Sequence, residues 1–343
     1  MPNGHQRQSR AAITARAIGG LFLLLVLPVC LASCRDQRPA REAAPPQRLR
    51  LALAIQPASS LAILADELGF WRQAGLEVKV TKYISGQQAL NQGLFQGNSD
   101  AATTADIPVA VAVCERDDFT VVAKIGQIFN GIRIVARRDR AIRRPADLRG
   151  KRLGCKKGSV THYFLELFLM RQAIQPEETQ IVSLEADTVP QALREGGLDG
   201  AAMREPYLGQ ALRLLGGQGV VFEEPALLPV SDLLVVNRKF LREHPEGVTR
   251  LLRGLLSAER FLAEHPLEAQ RILARYFDLA IMDVSDKAGG RQLAVSLDHS
   301  LVLALEEQTG WVVKKGLSKS ARPANLLPFI DQGPLTAARS AEQ

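Results

Sequence analysis

Two stretches of the sequence match at an offset of 99 residues: LFQGNSDAA at 94–102 and LREGGLDGA at 193–201. Each is typical of a helix that ends at a glycine, followed by a tight turn, an aspartate and a strand of small residues. The same offset places Asp106 opposite Glu205, so that an acidic residue lies just beyond each strand. The repeat therefore predicts two similar α/β lobes within one chain.

Short apolar runs alternate with helical periodicity on both sides of this repeat. Residues 49–55 and 76–80 are typical of strands, and the segment between them has apolar residues at helical spacing. This βαβ pattern predicts parallel strands. Ligands of open α/β sheets bind beyond the carboxyl ends of the strands. We therefore expect an α/β fold with a ligand cleft between the two lobes.

The composition is that of a folded chain without a nucleic-acid partner. Of 343 residues, 46% are hydrophobic and 23% are charged, which excludes collagenous and wholly disordered classes. The net charge of +7 is scattered, and only 5% of residues are aromatic. A small, scattered excess of cations with few aromatic rings disfavours nucleic-acid binding.

The amino terminus has the features of an export signal. Residues 1–16 contain three arginines and no acid, and residues 17–33 contain no charge and include the run LFLLLVL at 21–27. The stretch LASC at 31–34 is similar to the lipobox of bacterial lipoproteins. It predicts a signal peptide over 1–33, a lipid anchor on Cys34 and a flexible tether over 34–48. An ordinary signal peptide or a short membrane anchor with an incidental cysteine is the alternative.

Several segments, in order along the chain, resemble the solute-binding proteins of ABC importers for sulfonates, nitrate and taurine, a family that also includes thiamine-pyrimidine binders. These segments are ADELGFW at 65–71, TADIP at 104–108, DLRGKRLG at 147–154, GSVTH at 158–162 and EPY at 205–207. The resemblance implies a two-lobed, periplasmic-binding-protein-like fold of type II, in which the chain crosses twice between lobes. Lobe one is then 49–132 plus 233–343, and lobe two is 133–232.

Two residues depart from the family pattern. Ala105 stands where the family usually has a glycine, and Arg204 stands where it usually has an aromatic residue. If Arg204 faces the cleft, it changes the wall of the ligand site from apolar to cationic. The departures leave the identity of the ligand open.

The strand ends supply the candidate ligand-binding residues. The turn at 158–162 opens a helix, and free amides and hydroxyls at a helix start bind anions or carbonyls. Its hydroxyl residues therefore either contact the ligand or cap the helix. The two acids of the repeat each precede a proline-containing helix, where they either cap it or bind an amine. The candidates are Gln56, Ser85, Thr104, Asp106, Ser159, Thr161, His162, Arg204 and Glu205.

We therefore interpret the chain as an exported, lipid-anchored, solute-binding component of an ABC transporter, on the periplasmic or outer face of a bacterial membrane. It captures a small polar solute such as a sulfonate, nitrate or taurine, and the resemblance implies a permease and an ATPase as partners. We expect a monomer that is not an enzyme and needs no cofactor or metal. We expect Cys114 and Cys155 to remain buried thiols, because they lie in segments assigned to different lobes. No cysteine spacing is typical of a metal site.

Two alternatives stay open. One is a binder of pyrimidine precursors, or a relative of the synthases that make them. The other is a surface lipoprotein that senses a ligand and has no transport partner.

Overall fold

The computed structural model describes residues 47–224, 227–278, 290–319 and 325–340. The predicted signal peptide, Cys34 and nearly all of the predicted tether lie outside the described residues. The described elements all belong to one unit of the chain, Pro45–Gln343. None of the described helices combines the length and the apolar composition that crossing a bilayer requires.

Strands and helices alternate along most of the described chain. The strands are β1 (Gln47–Ala54), β2 (Leu76–Tyr83), β3 (Ala101–Ala105), β4 (Phe119–Ile128), β5 (Arg133–Arg137), β6 (Arg152–Cys155), β7 (Gln180–Ser183), β8 (Gly200–Met203), β9 (Gly219–Phe222), β10 (Val230–Asn237) and β11 (Arg291–Gln292). The helices are α1 (Ser60–Glu67), α2 (Phe70–Gln73), α3 (Gly86–Gln88), α4 (Asp106–Ala112), α5 (Val160–Arg171), α6 (Val189–Arg194), α7 (Tyr207–Leu215), α8 (Arg238–Glu243), α9 (Pro245–Glu264), α10 (Pro266–Phe277), α11 (His299–Lys314) and α12 (Gly333–Ser340).

The first sheet has the strand order β11-β4-β10-β3-β1-β2. Strand β1 pairs in parallel with β2 and β3, and β10 runs antiparallel to β3 and β4. Successive side chains of a strand point to opposite faces of the sheet. Accordingly, Leu51 and Leu53 pack with α1 and α9, whereas Ala52 and Ala54 share a core with α4 and α11.

The second sheet has the order β7-β6-β8-β5-β9. Strand β6 pairs in parallel with β7 and β8, and β5 runs antiparallel to β8 and β9. One face packs on α5 through residues such as Leu165 and Phe168, and the other packs on α6 and α7 through Leu193 and Leu208. The predicted α/β class is confirmed, with two mixed sheets rather than wholly parallel ones.

Strand β10 is not among the strands that the sequence pattern predicts. Leu233 and Val235 of β10 pack into the core on one side of the first sheet, and Leu234 and Val236 pack into the core on the other side. A strand that is buried on both faces has a continuous apolar run instead of an alternating pattern. This pattern explains why periodicity alone did not identify the strand.

The first copy of the repeat forms a compact polar contact at the amino end of β3. The carboxylate of Asp100 accepts a hydrogen bond of 2.8 Å from the backbone N–H of Arg50 and one of 2.6 Å from its guanidinium. The same guanidinium donates to the carbonyl oxygen of Gly97, whose φ of 75° is in the left-handed region.

The second copy makes the same contact at the amino end of β8. Asp199 accepts a hydrogen bond of 2.9 Å from the backbone N–H of Arg152 and one of 3.2 Å from its guanidinium. The guanidinium also donates to the carbonyl oxygen of Gly196, whose φ is 79°. The repeat therefore corresponds to one arginine–aspartate–glycine contact in each sheet.

Candidate functional site

A small cavity of about 40 Å³ lies between the carboxyl ends of strands from the two sheets. Ser85 and Gln87, which follow β2, line it from the first sheet. From the second sheet it is lined by Cys155, Lys156, Ser159, Val160, Thr161, Glu185, Ala186, Val189, Ala202, Met203, Arg204 and Tyr207. A volume of this size holds roughly three water-sized groups, so the space is suited to a small chemical group.

The turn before α5 contributes two hydroxyl groups to the cavity. Gly158 has a φ of 71°, which lets the chain turn sharply between β6 and α5. Ser159 is the N-cap residue, but its side chain forms no capping hydrogen bond. Its Oγ lies 2.8 Å from Oγ1 of Thr161. The hydroxyls therefore bond to each other at the cavity wall, next to the positive end of a 12-residue helix.

Arg204 brings a cation to the cavity from the end of β8. Its side chain is partly buried and, within the described residues, forms no hydrogen bond and no ion pair shorter than 4.0 Å. Burial lowers its pKa, and the negative charges of Asp232 and Asp106 oppose that effect. An arginine stays protonated under such shifts. Arg204 therefore places a cation at the wall of this cavity.

A second cation at the cavity is already neutralised. Lys156 forms an ion pair with Glu185, and the other carboxylate oxygen of Glu185 accepts a hydrogen bond of 3.4 Å from Gln88. Of the two cations that line the cavity, Arg204 is thus the one without a direct counter-ion among the described residues.

Asp232 lies near the start of β10, paired with Ala105 at the carboxyl end of β3, and was not a sequence candidate. It is completely buried and accepts hydrogen bonds of 2.6 Å from Nε2 of Gln56 and 2.6 Å from Oγ of Ser59. Burial raises its pKa to about 7, although these donors and Arg204 act in the opposite direction. No sequence motif marked this residue, because its strand was not identified.

Asp106 is also completely buried, beside Asp232. Its carboxylate accepts hydrogen bonds from the backbone N–H groups of Ile107, at 2.9 Å, and Ser231, at 3.1 Å. Burial raises its pKa to about 6, against the effect of these bonds and of one from Gln308. The acid therefore connects the start of α4 to β10.

Glu205, the matching acid of the repeat, accepts a hydrogen bond of 3.1 Å from the backbone N–H of Gly209 in α7. Neither Glu205 nor Asp106 is among the described residues that line the small cavity. Both acids thus accept hydrogen bonds from backbone N–H groups at a helix start, which is the capping role, the first of the two that the sequence left open for them.

Two further candidates end in polar atoms without a partner. Oε1 of Gln56 and Oγ1 of Thr104 are buried and have no hydrogen-bond partner among the described residues. Thr104 lies under Gly86, where an added Cβ would be 2.8 Å from the Thr104 Cα. The close approach of the two chains explains the glycine. Ser85 accepts a hydrogen bond of 3.2 Å from the backbone N–H of Gln88 and so caps α3.

His162 lies behind the turn rather than at the cavity wall. It is 4% exposed, and its Nδ1 accepts a hydrogen bond of 3.3 Å from the backbone N–H of Gly158. Cys155 lines the cavity, and burial raises the pKa of its thiol to about 12. A thiol in that state is a poor nucleophile. Cys155 and Cys114 do not form a disulfide with each other.

Comparison with solved structures identifies the architecture. The alkanesulfonate-binding protein SsuA from Xanthomonas axonopodis pv. citri, bound to MOPS, superposes with a TM-score of 0.72 at 22% identity, covering 84% of this chain and 99% of that one. The periplasmic nitrate-binding protein NrtA from Synechocystis PCC 6803 gives a TM-score of 0.69 at 14% identity, covering 86% and 89%. The fold is that of periplasmic solute-binding proteins, as the sequence predicted.

Sequence relatives agree with this class. The taurine-binding periplasmic protein of Escherichia coli K12 is 26% identical over 226 residues, which cover 64% of this chain and 68% of that protein. A putative aliphatic sulfonates-binding protein of Bacillus subtilis 168 is 26% identical over 267 residues, which cover 76% and 79%. The family profile described as NMT1/THI5 like matches residues 56–269. The chain belongs to the NMT1/THI5-like family, and the resemblance seen in the sequence is confirmed.

Proposed function

We propose that the protein binds a small oxyanion, such as a sulfonate or nitrate, between its two sheets and delivers it to an ABC permease and its ATPase. The observation that carries the proposal is Arg204, a partly buried cation that lines the cavity and forms no ion pair shorter than 4.0 Å among the described residues, although the more distant carboxylates of Asp232 and Asp106 act on its pKa. The hydroxyls of Ser159 and Thr161 and the amino end of α5 supply further positive potential and donors. The relatives named for taurine and for aliphatic sulfonates support this class of solute.

We further propose that the two sheets are the cores of two lobes that close on the solute. Capture without chemistry requires that the closed state bind the solute far better than the open state. Ligand groups contributed from both sheets meet this requirement. The buried thiol of Cys155 favours binding over catalysis, and so do the relatives named as a taurine-binding protein and a putative aliphatic sulfonates-binding protein.

The lipid anchor on Cys34 remains a proposal from the sequence, together with export to the periplasm or the outer face of the membrane. Labelling cells with a fatty-acid analogue tests it directly. The wild type is expected to be labelled and Cys34→Ala is not. Equal labelling of both proteins contradicts the anchor and leaves solute binding untouched.

The binding proposal is tested by calorimetry with ethanesulfonate, taurine, nitrate, an amino acid and a thiamine pyrimidine. Arg204→Met is expected to weaken the binding of oxyanions by about 1.5–3 kcal/mol of binding free energy, the typical loss of a hydrogen bond to a charged group. Arg138→Met is the matched control, because Arg138 is an exposed arginine that directly follows β5 of the same sheet and does not line the cavity. Wild-type affinity in Arg204→Met contradicts the proposal, and binding of the pyrimidine alone favours the precursor-binding alternative.

A further inference from the structure

Helices α5 and α11 form a link between the two sheets in addition to the chain crossovers. Helix α11 belongs to the core of the first sheet through residues such as Val312, and α5 belongs to the core of the second sheet through Leu165. Tyr163 of α5 donates a hydrogen bond of 3.0 Å to Oε1 of Glu307 on α11. This hydrogen bond couples the position of α5 to that of α11.

Glu166 is the centre of this link. It is 4% exposed and accepts a hydrogen bond of 2.8 Å from Nε1 of Trp311, and its Oε1 lies 3.1 Å from Nζ of Lys315. Burial raises the pKa of Glu166, but hydrogen bonds from His162, Trp311 and Lys315 outweigh it, and the net pKa is lowered. The carboxylate is therefore ionised and fixed by groups from the first sheet.

His162 connects this carboxylate to the cavity. Its Nε2 lies 3.5 Å from Oε1 of Glu166, and its ring packs edge-on against Trp311 with 5.2 Å between centroids. Its Nδ1 accepts the hydrogen bond from the backbone N–H of Gly158. Since Nδ1 accepts, the ring proton is on Nε2 and faces Glu166. One side of the ring is thus anchored, and the other side holds the turn that carries Ser159.

We infer that His162 is a positioning residue, which fixes the position of the turn 158–161 relative to α11, the helix that packs on the first sheet. The inference rests on the proposed role of this turn in solute binding. His162 acts through the Gly158 amide and does not itself line the cavity. Trp311 and Glu166 anchor the ring, so a change at Trp311 acts on the same turn from the other sheet.

Amide exchange of Gly158, followed by NMR on the full-length protein, tests the positioning role without any solute. His162→Asn keeps an acceptor at the same side-chain position, whereas His162→Leu removes it. The Leu variant is expected to exchange the Gly158 amide about fivefold faster, the effect of losing a hydrogen bond of roughly 1 kcal/mol. The Asn variant is expected to exchange like the wild type. Equal rates in the Leu variant and the wild type overturn the inference.

Trp311→Phe provides a second route if His162→Leu does not fold. It keeps an aromatic ring in the core but loses the bond to Glu166, and it is expected to speed exchange at Gly158 without replacing a residue of the turn. Unchanged exchange in this variant overturns the link to the first sheet. Ethanesulfonate affinity is then expected to fall about five- to tenfold in His162→Leu and to recover in His162→Asn. Failure of the wild type to bind any oxyanion overturns the proposed function and leaves the exchange result standing.

Discussion

At the scale of single residues, the most unusual feature near the candidate site is a pair of buried carboxyl groups, one in β10 and one at the start of α4. Asp232 and Asp106 are completely buried, and burial raises their pKa values to about 7 and about 6. A carboxyl group whose pKa is higher in the folded state binds its proton more tightly there than in the unfolded chain. The folded state then becomes less stable as the pH rises from about 4 to the folded-state pKa.

We expect Asp232→Asn to reduce this loss of stability between pH 5 and pH 8, because an amide cannot ionise. The amide still meets Gln56 and Ser59, so the variant is expected to fold. Thermal unfolding at several pH values measures the slope. Asp298→Asn is the control, since the hydrogen bond from Lys124 lowers the pKa of Asp298 to about 2 and its effect falls below pH 4. If the Asp232→Asn variant loses stability with pH at the wild-type slope, the raised pKa of Asp232 is contradicted.

At the scale of elements, the repeat shows which part of the fold is readable from the sequence. Helix, glycine, turn, aspartate and strand were all visible in it, since glycine at positive φ and a strand of small residues are local requirements. The partners Arg50 and Arg152 were not visible. They belong to neighbouring strands about 50 residues away, and pairing between strands is not a local property.

The site follows the same division. Ser159 was identified because it follows a strand and precedes a helix, and Arg204 because it departs from the family pattern; both line the cavity. Asp232 was missed because its strand returns from the second sheet and is buried on both faces. The inward position of His162 was missed because it depends on Trp311, which lies far along the chain on another helix.

We expect the two copies of the arginine–aspartate contact to stabilise the fold independently. Asp100→Asn and Asp199→Asn each lose a charge-assisted contact, at a cost of about 1–3 kcal/mol of unfolding free energy, reduced by the partial exposure of the arginines. The costs in the double variant are expected to add, because the sites lie in different sheets. Urea unfolding measures them. Glu77→Gln, which removes the exposed pair with Arg48, is the matched control and is expected to change stability by less than about 0.5 kcal/mol.

Solute affinity is expected to stay unchanged in both of these aspartate variants. Each aspartate precedes its strand, whereas the cavity lies at the carboxyl ends. A large loss of affinity in either variant means that the contact does more than stabilise its sheet.

At the scale of the whole molecule, the contacts between elements of the two sheets fall into two groups that differ in length. Three of these contacts involve residues that line the cavity, and we call this region the mouth. Gln87 donates a hydrogen bond of 3.4 Å to the carbonyl oxygen of Lys157, and Gln88 donates one of 3.4 Å to Glu185. Tyr207 donates one of 3.5 Å to the carbonyl oxygen of Ile84. Bonds of this length are weak. Those between α5 and α11 measure 2.8–3.1 Å and are partly buried.

This difference predicts that the lobes open at the mouth and rotate about the α5–α11 side. Without solute, the weak mouth contacts hold the closed state only marginally, and solute binding shifts the population toward it. Gln88→Ala combined with Tyr207→Phe removes two of these contacts, so we expect a larger radius of gyration by small-angle X-ray scattering than for the wild type. Saturating ethanesulfonate is expected to return the variant to the wild-type value.

Gln332→Ala is the control for this experiment, because it removes a similar side-chain bond, of 3.2 Å, to the carbonyl of Leu297 that does not cross the mouth. Its radius of gyration is expected to equal that of the wild type with and without solute. If the double variant also scatters like the wild type without solute, the mouth contacts do not set the opening equilibrium. If Trp311→Phe increases the radius of gyration instead, the contacts between α5 and α11 hold the closed state, and the lobes rotate about the mouth.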